Sequence, residues 1–292
     1  MKIDVIADRP RTQNITTGAR TTGLRLLFGT PWWFVALSLL GISVISLVVN
    51  NSLYANIFAQ LREGIIMTLS VSFAAYFSAL LIGLVIGLIR SSPPRVGYGP
   101  IGLLVGIVRL IVYNLATLYV QVLRGLPILV TLLIVAFVIV PEVNRVLRDS
   151  FGLNLGIRGT SPTSAIIALA FTYGAFLSET VRAGIQSVGR GQIEAARSLG
   201  MNYIQVTRYI VLPQAIRRVL PPLGNDMIAM IKDSSLVAIL GIQDITQLAK
   251  LSSSSSFRYL ETYLLAATIY LTMTVLGSLI VRQIERRFPV EH

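Results

Sequence analysis

Several stretches of this chain are long enough and apolar enough to cross a lipid bilayer, and this feature constrains the fold more than any other. A membrane-spanning helix needs roughly 20 mainly apolar residues, and only helices and closed barrels satisfy their backbone hydrogen bonds inside the hydrocarbon core. Only 13% of the 292 residues are charged and the mean hydropathy is +0.72, which excludes an ordinary water-soluble enzyme domain. The sequence therefore predicts an all-α, polytopic membrane protein.

Six crossings are predicted, with polar or helix-breaking segments between them. They cover about residues 33–49, 63–89, 102–140, 163–187, 223–242 and 259–281. The third stretch is too long for one straight crossing, and an Arg-Gly-Leu-Pro segment at residues 124–127 interrupts it. We expect a tilted or interfacial lead-in helix there, followed by a break and the crossing proper. Residues 141–162 are predicted to form a polar loop.

The distribution of basic residues predicts the orientation. More than half of the 25 Lys and Arg residues lie in residues 1–30, in the long polar stretch of residues 188–222 and near the C-terminus. Cytoplasmic loops carry an excess of Lys and Arg, so these segments and both termini are predicted to be cytoplasmic. The expected organisation is a cytoplasmic tail of residues 1–30, a transmembrane domain of residues 31–287 and a short cytoplasmic end of residues 288–292.

Composition also limits the chemistry of the chain. Its net charge is +12, but the arginines lie between and beside the apolar spans and form no aromatic-interleaved stripe, so no nucleic-acid partner is expected. The sequence has no cysteine and its single histidine is His292, which excludes a thiolate nucleophile, a histidine acid/base pair and a zinc-type cluster. No lysine lies in a phosphate-binding G-x-x-x-x-G-K-[ST] loop, so any ATP must bind to another subunit.

The stretch of residues 188–222 is the most informative part of the sequence. It predicts a short helix that ends at a glycine, then a second helix that begins at Asn202 and is kinked by a proline. Two small side chains beside a glutamate would let another protein approach closely, although composition alone fits an ordinary cytoplasmic hairpin equally well. The positions concerned are Glu194, Ala195, Ala196, Gly200, Leu212 and Pro213.

The register of these six residues closely resembles the EAA coupling loop of permease subunits of bacterial ABC importers. Segments 178–185, 124–127, 220–225 and 232–236 are similar to the polar amino-acid branch of that family, and the resemblance covers about residues 64–287. The resemblance implies that the chain has a type I importer fold and lies in the bacterial inner membrane. It also implies that the chain pairs with a second copy of itself or with a similar permease. It also implies ATPase subunits holding ATP and Mg²⁺ inside, contacted by the six loop residues, and a periplasmic substrate-binding protein outside. The chain itself would not be a catalyst.

Charged side chains inside membrane spans are costly and often functional. An amino acid needs an acceptor for its ammonium group and a donor for its carboxylate. Glu179 is the candidate for the first role and Arg124 for the second, while Thr68 and Ser72, one helical turn apart, would add hydroxyl groups. The structural alternatives are that Arg124 extends to the membrane interface and that Glu179 pairs with Arg182 one turn away.

Lys232 and Asp233 are predicted to form a structural or gating ion pair. Two rival functions stay open at this point. An ion-coupled secondary amino-acid transporter would need no ATPase, and a membrane scaffold would bind a soluble partner through the long loop without transport. The sequence identifies neither the amino acid carried nor the choice between homodimer and heterodimer.

Overall fold

The computed structural model describes residues 32–94, 97, 99–154 and 156–287, and helices are the only regular structure in these ranges. The chain divides into two compact units, Met1–Leu47 and Val48–His292. The described part of the first unit is most of one helix, and the second unit holds the other helices. The predicted tail of residues 1–30 and the predicted end of residues 288–292 lie outside the described residues.

Helices follow one another along the chain with short connections. They are α1 (Trp32–Asn50), α2 (Ser52–Ser91), α3 (Gly99–Gly125), α4 (Ile128–Phe151), α5 (Pro162–Gln186), α6 (Arg190–Ser198), α7 (Tyr203–Val206), α8 (Leu212–Asp233), α9 (Ile245–Ser256) and α10 (Tyr259–Arg287). A π turn lies within α4 at Val135–Ile139, a second joins α7 to α8 at Thr207–Val211, and a 3-10 helix, Ser234–Leu240, follows α8.

Five helices in the described ranges are long and apolar enough to cross a membrane: α2, α3, α4, α5 and α10. The apolar part of α1, Val35–Asn50, is shorter than these. The prediction of an all-α, multi-pass membrane fold is therefore confirmed. Helix α2 begins at Ser52, about eleven residues before the predicted start of its crossing, and two further segments differ more in their boundaries.

The first difference is that α4 extends into the predicted loop, past a proline that follows a π turn. The break predicted at residues 124–127 is confirmed, because α3 ends at Gly125 and α4 begins at Ile128. The polar loop predicted from residue 141 is wrong in its first half, since α4 continues through Pro141 to Phe151. Proline has no N–H to donate within a helix, and the wider π turn just before Pro141 accommodates it. Pro213 follows its π turn at the same distance.

The second difference is the crossing predicted at residues 223–242. This segment is not one apolar helix, because α8 begins earlier, at Leu212, and gives way to the 3-10 helix after Asp233. Helix α8 contains Pro221 and Pro222 together with several polar side chains, which lowers its hydropathy. The 3-10 helix ends at Gly241, which has a φ of +76°.

Helices α2 and α5 form the centre of the bundle and approach each other closely. A Cβ atom on Gly83 would lie 2.7 Å from the Cβ of Leu177, and one on Gly87 would lie 2.8 Å from the carbonyl oxygen of Ser178. The contacts advance in the same direction along both helices, so α2 and α5 run parallel. The largest fully buried apolar side chains around this seam include Val71, Leu132, Leu169, Leu177 and Met230.

Candidate functional site

The predicted helix–turn–helix is present as α6, α7 and the beginning of α8. Glu194 and Ala195 are exposed on α6, whereas Ala196 is buried. Leu212 and Pro213, at the start of α8, are exposed as well. The glutamate and one of the two alanines are therefore accessible to another protein, and the second alanine packs inward.

Backbone geometry fixes the turn between α6 and α7. Gly200 has a φ of +80°, a conformation that residues with side chains rarely adopt, and the N–H of Met201 donates to the carbonyl oxygen of Ala196 at 3.2 Å. Asn202 caps α7 with its side chain, which accepts from the backbone N–H of Gln205 at 2.9 Å, while the side chain of Gln205 accepts from the N–H of Asn202. The local prediction for this loop is confirmed.

Three large apolar side chains project from this turn. Leu199 is 83% exposed and Ile204 is 72% exposed, and Tyr203 is exposed beside them. We call these three residues the turn patch. Apolar side chains gathered on a polar loop are typical of a protein–protein contact.

The loop is tied to the bundle through α8. The side-chain amide of Gln214 donates to Gln192 at 2.6 Å, and the guanidinium of Arg218 donates to the carbonyl oxygen of Ser187. A Cβ atom on Gly184 would overlap the side chain of Val219, so the end of α5 lies directly against α8. Side-chain hydrogen bonds and close packing therefore join α8 both to α6 and to the end of α5.

A second group of residues lies where α2, α3 and α5 meet, and we call it the arginine cluster: Arg90, Arg124, Glu179 and Arg182. One carboxylate oxygen of Glu179 lies 2.9 Å from Nη1 of Arg90 and 3.6 Å from Nη1 of Arg124. The other accepts from Nε of Arg182 at 2.6 Å. The side chain of Arg90 is only 8% exposed, whereas that of Arg124 is 45% exposed. The structure thus brings together two predicted residues, Glu179 and Arg124, and includes the pairing of Glu179 with Arg182.

Thr68 and Ser72 lie elsewhere on α2. The hydroxyl oxygen of Thr68 accepts from the backbone N–H of Ile245 at 3.3 Å, and Ser72 donates to the carbonyl oxygen of Thr68 at 2.6 Å. Both side chains are fully buried. At 1.5 Å per residue, Thr68 is separated from Arg90 by about 33 Å along the helix. The four candidates for the substrate pathway therefore form two groups, one in the middle of α2 and one beside its C-terminal end.

Thr68 belongs to a hydrogen-bonded group around Asp244, the residue that caps α9. The Asp244 carboxylate accepts from the N–H of Gln247 at 2.8 Å and from the hydroxyl of Tyr270 at 3.0 Å. Burial raises the pKa of Asp244, although these donors act in the opposite direction. The group joins α2, α9 and α10 at a level about 33 Å along α2 from Arg90.

The predicted ion pair between Lys232 and Asp233 is not formed within the described ranges. Adjacent residues of a helix point about 100° apart, so their side chains do not face each other. Asp233 instead accepts from the hydroxyl of Tyr173 on α5 at 2.6 Å, and Lys232 is exposed. This corrects the prediction.

Sequence reasoning missed Arg90, Tyr173 and Asp244. In the sequence, Arg90 is only a basic residue at the end of an apolar stretch, and nothing local indicates that it meets Glu179. In the ranges that the structure describes, no group of three or more His, Cys, Asp or Glu side chains is placed to hold a metal ion.

The fold and the exposed loop define a multi-pass membrane protein with an accessible loop suited to coupling with a partner protein. Residues 99–289 match the family described as binding-protein-dependent transport system inner membrane component, and the chain belongs to this family. The family predicted from the loop motifs is thereby confirmed.

Relatives with assigned names match most of the chain. It is 34% identical over 241 residues to the probable amino-acid ABC transporter permease protein YckA of Bacillus subtilis, covering 82% of this chain and 94% of the relative. It is 32% identical over 230 residues to the glutamine transport system permease protein GlnP of Escherichia coli, covering 79% and 93%. The ion-coupled alternative finds no support in these relatives.

Solved structures agree with the fold. A crystal structure of an amino acid ABC transporter with histidines is matched with a TM-score of 0.64 at 36% identity, covering 80% of this chain and 96% of that one. Inward-facing MetNI methionine ABC transporter structures are matched with a TM-score of 0.60 at 18% identity, which supports the fold alone.

Proposed function

We propose that this chain is the permease subunit of an ATP-driven ABC importer that carries amino acids across the inner membrane into the cytoplasm. The amino-acid and glutamine permeases among its relatives support the substrate class. The observation that supports the coupling role is the exposed turn between α6 and α7. Glu194, Ala195 and Gly200 are exposed there, on the same loop as the accessible apolar side chains of the turn patch.

In this proposal the turn patch and the exposed residues of α6 enter a groove on a separate ATPase subunit that binds ATP and Mg²⁺. Closure of the ATPases displaces α6, and the Gln192–Gln214 hydrogen bond passes the displacement to α8. A second permease subunit, identical or similar, and a periplasmic substrate-binding protein complete the transporter.

The four candidates for the substrate pathway, Glu179, Arg124, Thr68 and Ser72, stay a prediction. Their present contacts suit structural roles, since arginines hold both oxygens of Glu179 and Thr68 accepts from a backbone N–H. Substrate contact predicts a raised KM on conservative substitution, whereas a structural role predicts a lower unfolding temperature with KM unchanged.

We further propose that α3 is the lead-in helix and does not cross the membrane, so both termini are cytoplasmic. Arg90, in the last turn of α2, donates to Thr117 of α3 at 3.4 Å, and the next turns of α3 bring Arg124 to Glu179. The end of α3 therefore lies at the C-terminal end of α2, and because α2 and α5 run parallel, α4 supplies the one crossing between them.

Cysteine labelling tests this topology cleanly, because the parent chain has no cysteine. Single substitutions Ser92→Cys and Leu126→Cys flank α3, and Asn154→Cys lies beyond α4. With a membrane-impermeant thiol reagent, the first two should react from the cytoplasmic side and the third from the periplasmic side. Reaction of Ser92→Cys and Leu126→Cys from opposite sides would show that α3 crosses.

Transport by the complete complex tests the coupling role. Among the described residues, a Cβ atom on Gly200 would meet nothing within 4 Å, so we expect a side chain there to obstruct a docked partner. Asparagine tolerates positive φ better than most residues. We expect Gly200→Asn in proteoliposomes with the ATPase and binding protein to abolish ATP-driven uptake while the permease stays folded.

The matched control is Gly152→Asn. Gly152 also ends a helix at positive φ, 63°, and a Cβ atom there would meet no described residue within 4 Å, but this glycine lies outside the loop. The control should transport normally. Normal uptake by Gly200→Asn, or equal losses in both variants, would refute docking at this turn.

A further inference from the structure

Lys232, in the last turn of α8, lies near the middle of the membrane-spanning bundle. The neighbouring residue, Asp233, accepts from the hydroxyl of Tyr173 at 2.6 Å, and Tyr173 is the twelfth of the 25 residues of α5. Helix α5 is long and apolar enough to cross a membrane. At 1.5 Å per residue, Tyr173 is about 17 to 20 Å from either end of α5 along the helix axis. Lys232 is therefore about level with the centre of a membrane crossing.

The positive charge of Lys232 is not neutralised within the chain. Lys232 is exposed, and no acidic side chain pairs with it among the residues that the structure describes. The carboxylate of Asp233 is turned toward α5 and engaged by Tyr173. A charged side chain at mid-depth of a bilayer is costly in hydrocarbon, so such residues face a partner group or a water-filled cavity. Lys232 thus needs an anion or water beside it.

The exposed face of α8 around Lys232 is unlike a lipid-facing surface. Within residues 221–233 the exposed side chains are those of Pro222, Asn225 and Lys232, and they lie within about 80° of one another around the helix. No large apolar side chain is exposed between Ile216 and Ile239. A strip with an amide, an ammonium group and no large apolar side chain is suited to line a water-filled passage. Helix α2, in contrast, exposes a row of large apolar side chains in its second half: Phe73, Phe77, Leu81, Leu84, Val85 and Leu88.

We propose that this face of α8 lines the passage of the transported amino acid and that the ammonium group of Lys232 binds its α-carboxylate there. This assignment rests on the proposed function. The α-carboxylate is common to all amino acids, so one cation can hold a carried molecule whatever its side chain is. Arg124, the donor predicted from the sequence, already lies 3.6 Å from the carboxylate of Glu179. Since Gln214 joins α8 to α6, a displacement of the loop also moves the cation of Lys232.

Thiol labelling tests the placement, because the parent chain has no cysteine. In the purified complex of permease and ATPase, Lys232→Cys should react with an anionic, membrane-impermeant methanethiosulfonate reagent. The matched control is Leu81→Cys, since Leu81 is 68% exposed on the apolar face of α2. Its depth is similar, because Gly83, two residues later, lies against Leu177, one helical turn after Tyr173. Leu81→Cys should stay unlabelled, and equal labelling of the two variants would overturn the assignment.

Equilibrium binding to the same complex tests the ligand, with each of the protein amino acids in radiolabelled form as a probe. At least one amino acid should bind the parent, and Lys232→Met should weaken its binding about 10-fold, the value of one hydrogen bond between charged groups. Lys232→Arg should restore most of the affinity, because a guanidinium group also donates to carboxylates. The control is Lys250→Met, which removes the same charge from an exposed lysine on α9 and should leave the affinity unchanged.

Lys232→Met removes no ion pair among the described residues, so the variant should fold. If it does not, the amine that lacks only the carboxylate of the bound amino acid decides, because it should bind the parent about 10-fold more weakly. Absence of binding to the parent or equal affinity for that amine would overturn the assignment. Unchanged affinity in Lys232→Met would do the same and is expected if Lys232 pairs with a carboxylate of the second permease. Uptake by the parent in proteoliposomes is measured separately, and only its absence for every amino acid would refute the proposed function.

Discussion

Replacement of Glu179 by glutamine removes the negative charge of the arginine cluster with little change in size. Arg90, only 8% exposed, then loses its partner at 2.9 Å and becomes a buried charge without a counter-ion. Breaking a buried pair in this way typically costs about 3–5 kcal/mol. At about 2–4 °C per kcal/mol for a domain of this size, the unfolding temperature should fall by roughly 6–20 °C.

The measurement is the temperature at which the purified complex loses its monodisperse size-exclusion peak. Glu142→Gln is the matched control, because it removes the same charge from an exposed pair with Arg145, which is worth about 0–1 kcal/mol. Adding Arg90→Gln to Glu179→Gln should recover part of the loss, since no unpaired charge is then buried. If Glu179→Gln is as stable as Glu142→Gln but has a raised KM, Glu179 contacts substrate and the structural reasoning is refuted.

Three further predictions concern unfolding temperature. Gly83→Ala should cost about 1–3 kcal/mol of stability because it overpacks the contact between α2 and α5. Gly277→Ala, whose Cβ atom would meet its nearest neighbour at 3.6 Å, should cost little. Equal effects of the two substitutions would contradict the close packing of α2 against α5. Tyr173→Phe should cost about 1–3 kcal/mol because Asp233 loses a hydrogen-bond donor, and an unchanged unfolding temperature would count against that bond. Because burial raises the pKa of Asp244, the stability of the fold falls as the pH rises through that raised value. Asp244→Asn still caps α9, so it should be at least as stable as the parent at about pH 7 and no more stable than the parent at about pH 4. A lower unfolding temperature than the parent's at pH 7 would refute this.

The turn between α6 and α7 was predictable because its determinants are local. A glycine that ends α6 and an asparagine that caps α7 act on backbone groups within a few residues, so the sequence alone specifies the turn at Gly200 and Asn202. The spans of α2 and α5 were predictable for a related reason, since the length and hydropathy of a segment decide whether it can lie in a bilayer.

The arginine cluster and the contacts of α8 were not predictable in this way. Arg90 and Glu179 are far apart in sequence, and only the parallel packing of α2 and α5 brings them together. The predicted ion pair of Lys232 and Asp233 was wrong for the opposite reason, because side chains of adjacent residues point apart on a helix. Asp233 accepts a hydrogen bond from Tyr173 of α5 instead. Tertiary hydrogen bonds require the helix arrangement, which hydropathy does not encode.

From these contacts we expect α2 and α5 to stay together as a firm pair and α8 to be the helix that moves against them. Helices α2 and α5 meet backbone to backbone at Gly83 and Gly87, whereas α8 meets α5 through the side chain of Val219 at Gly184. The hydroxyls of Tyr76 and Tyr173 also join α8 to α2 and α5 by donating to the carbonyl oxygen of Leu223 at 2.8 Å and to Asp233 at 2.6 Å. Packed backbones resist sliding, while single hydrogen bonds can exchange partners, so a displacement of the loop should move α8 past an unchanged α2–α5 pair. Spin-label distances between α5 and α8 should therefore change when the complex binds ATP, and those between α2 and α5 should not. Equal changes in both distances would show that the bundle moves as a whole and that α8 is not the mobile element.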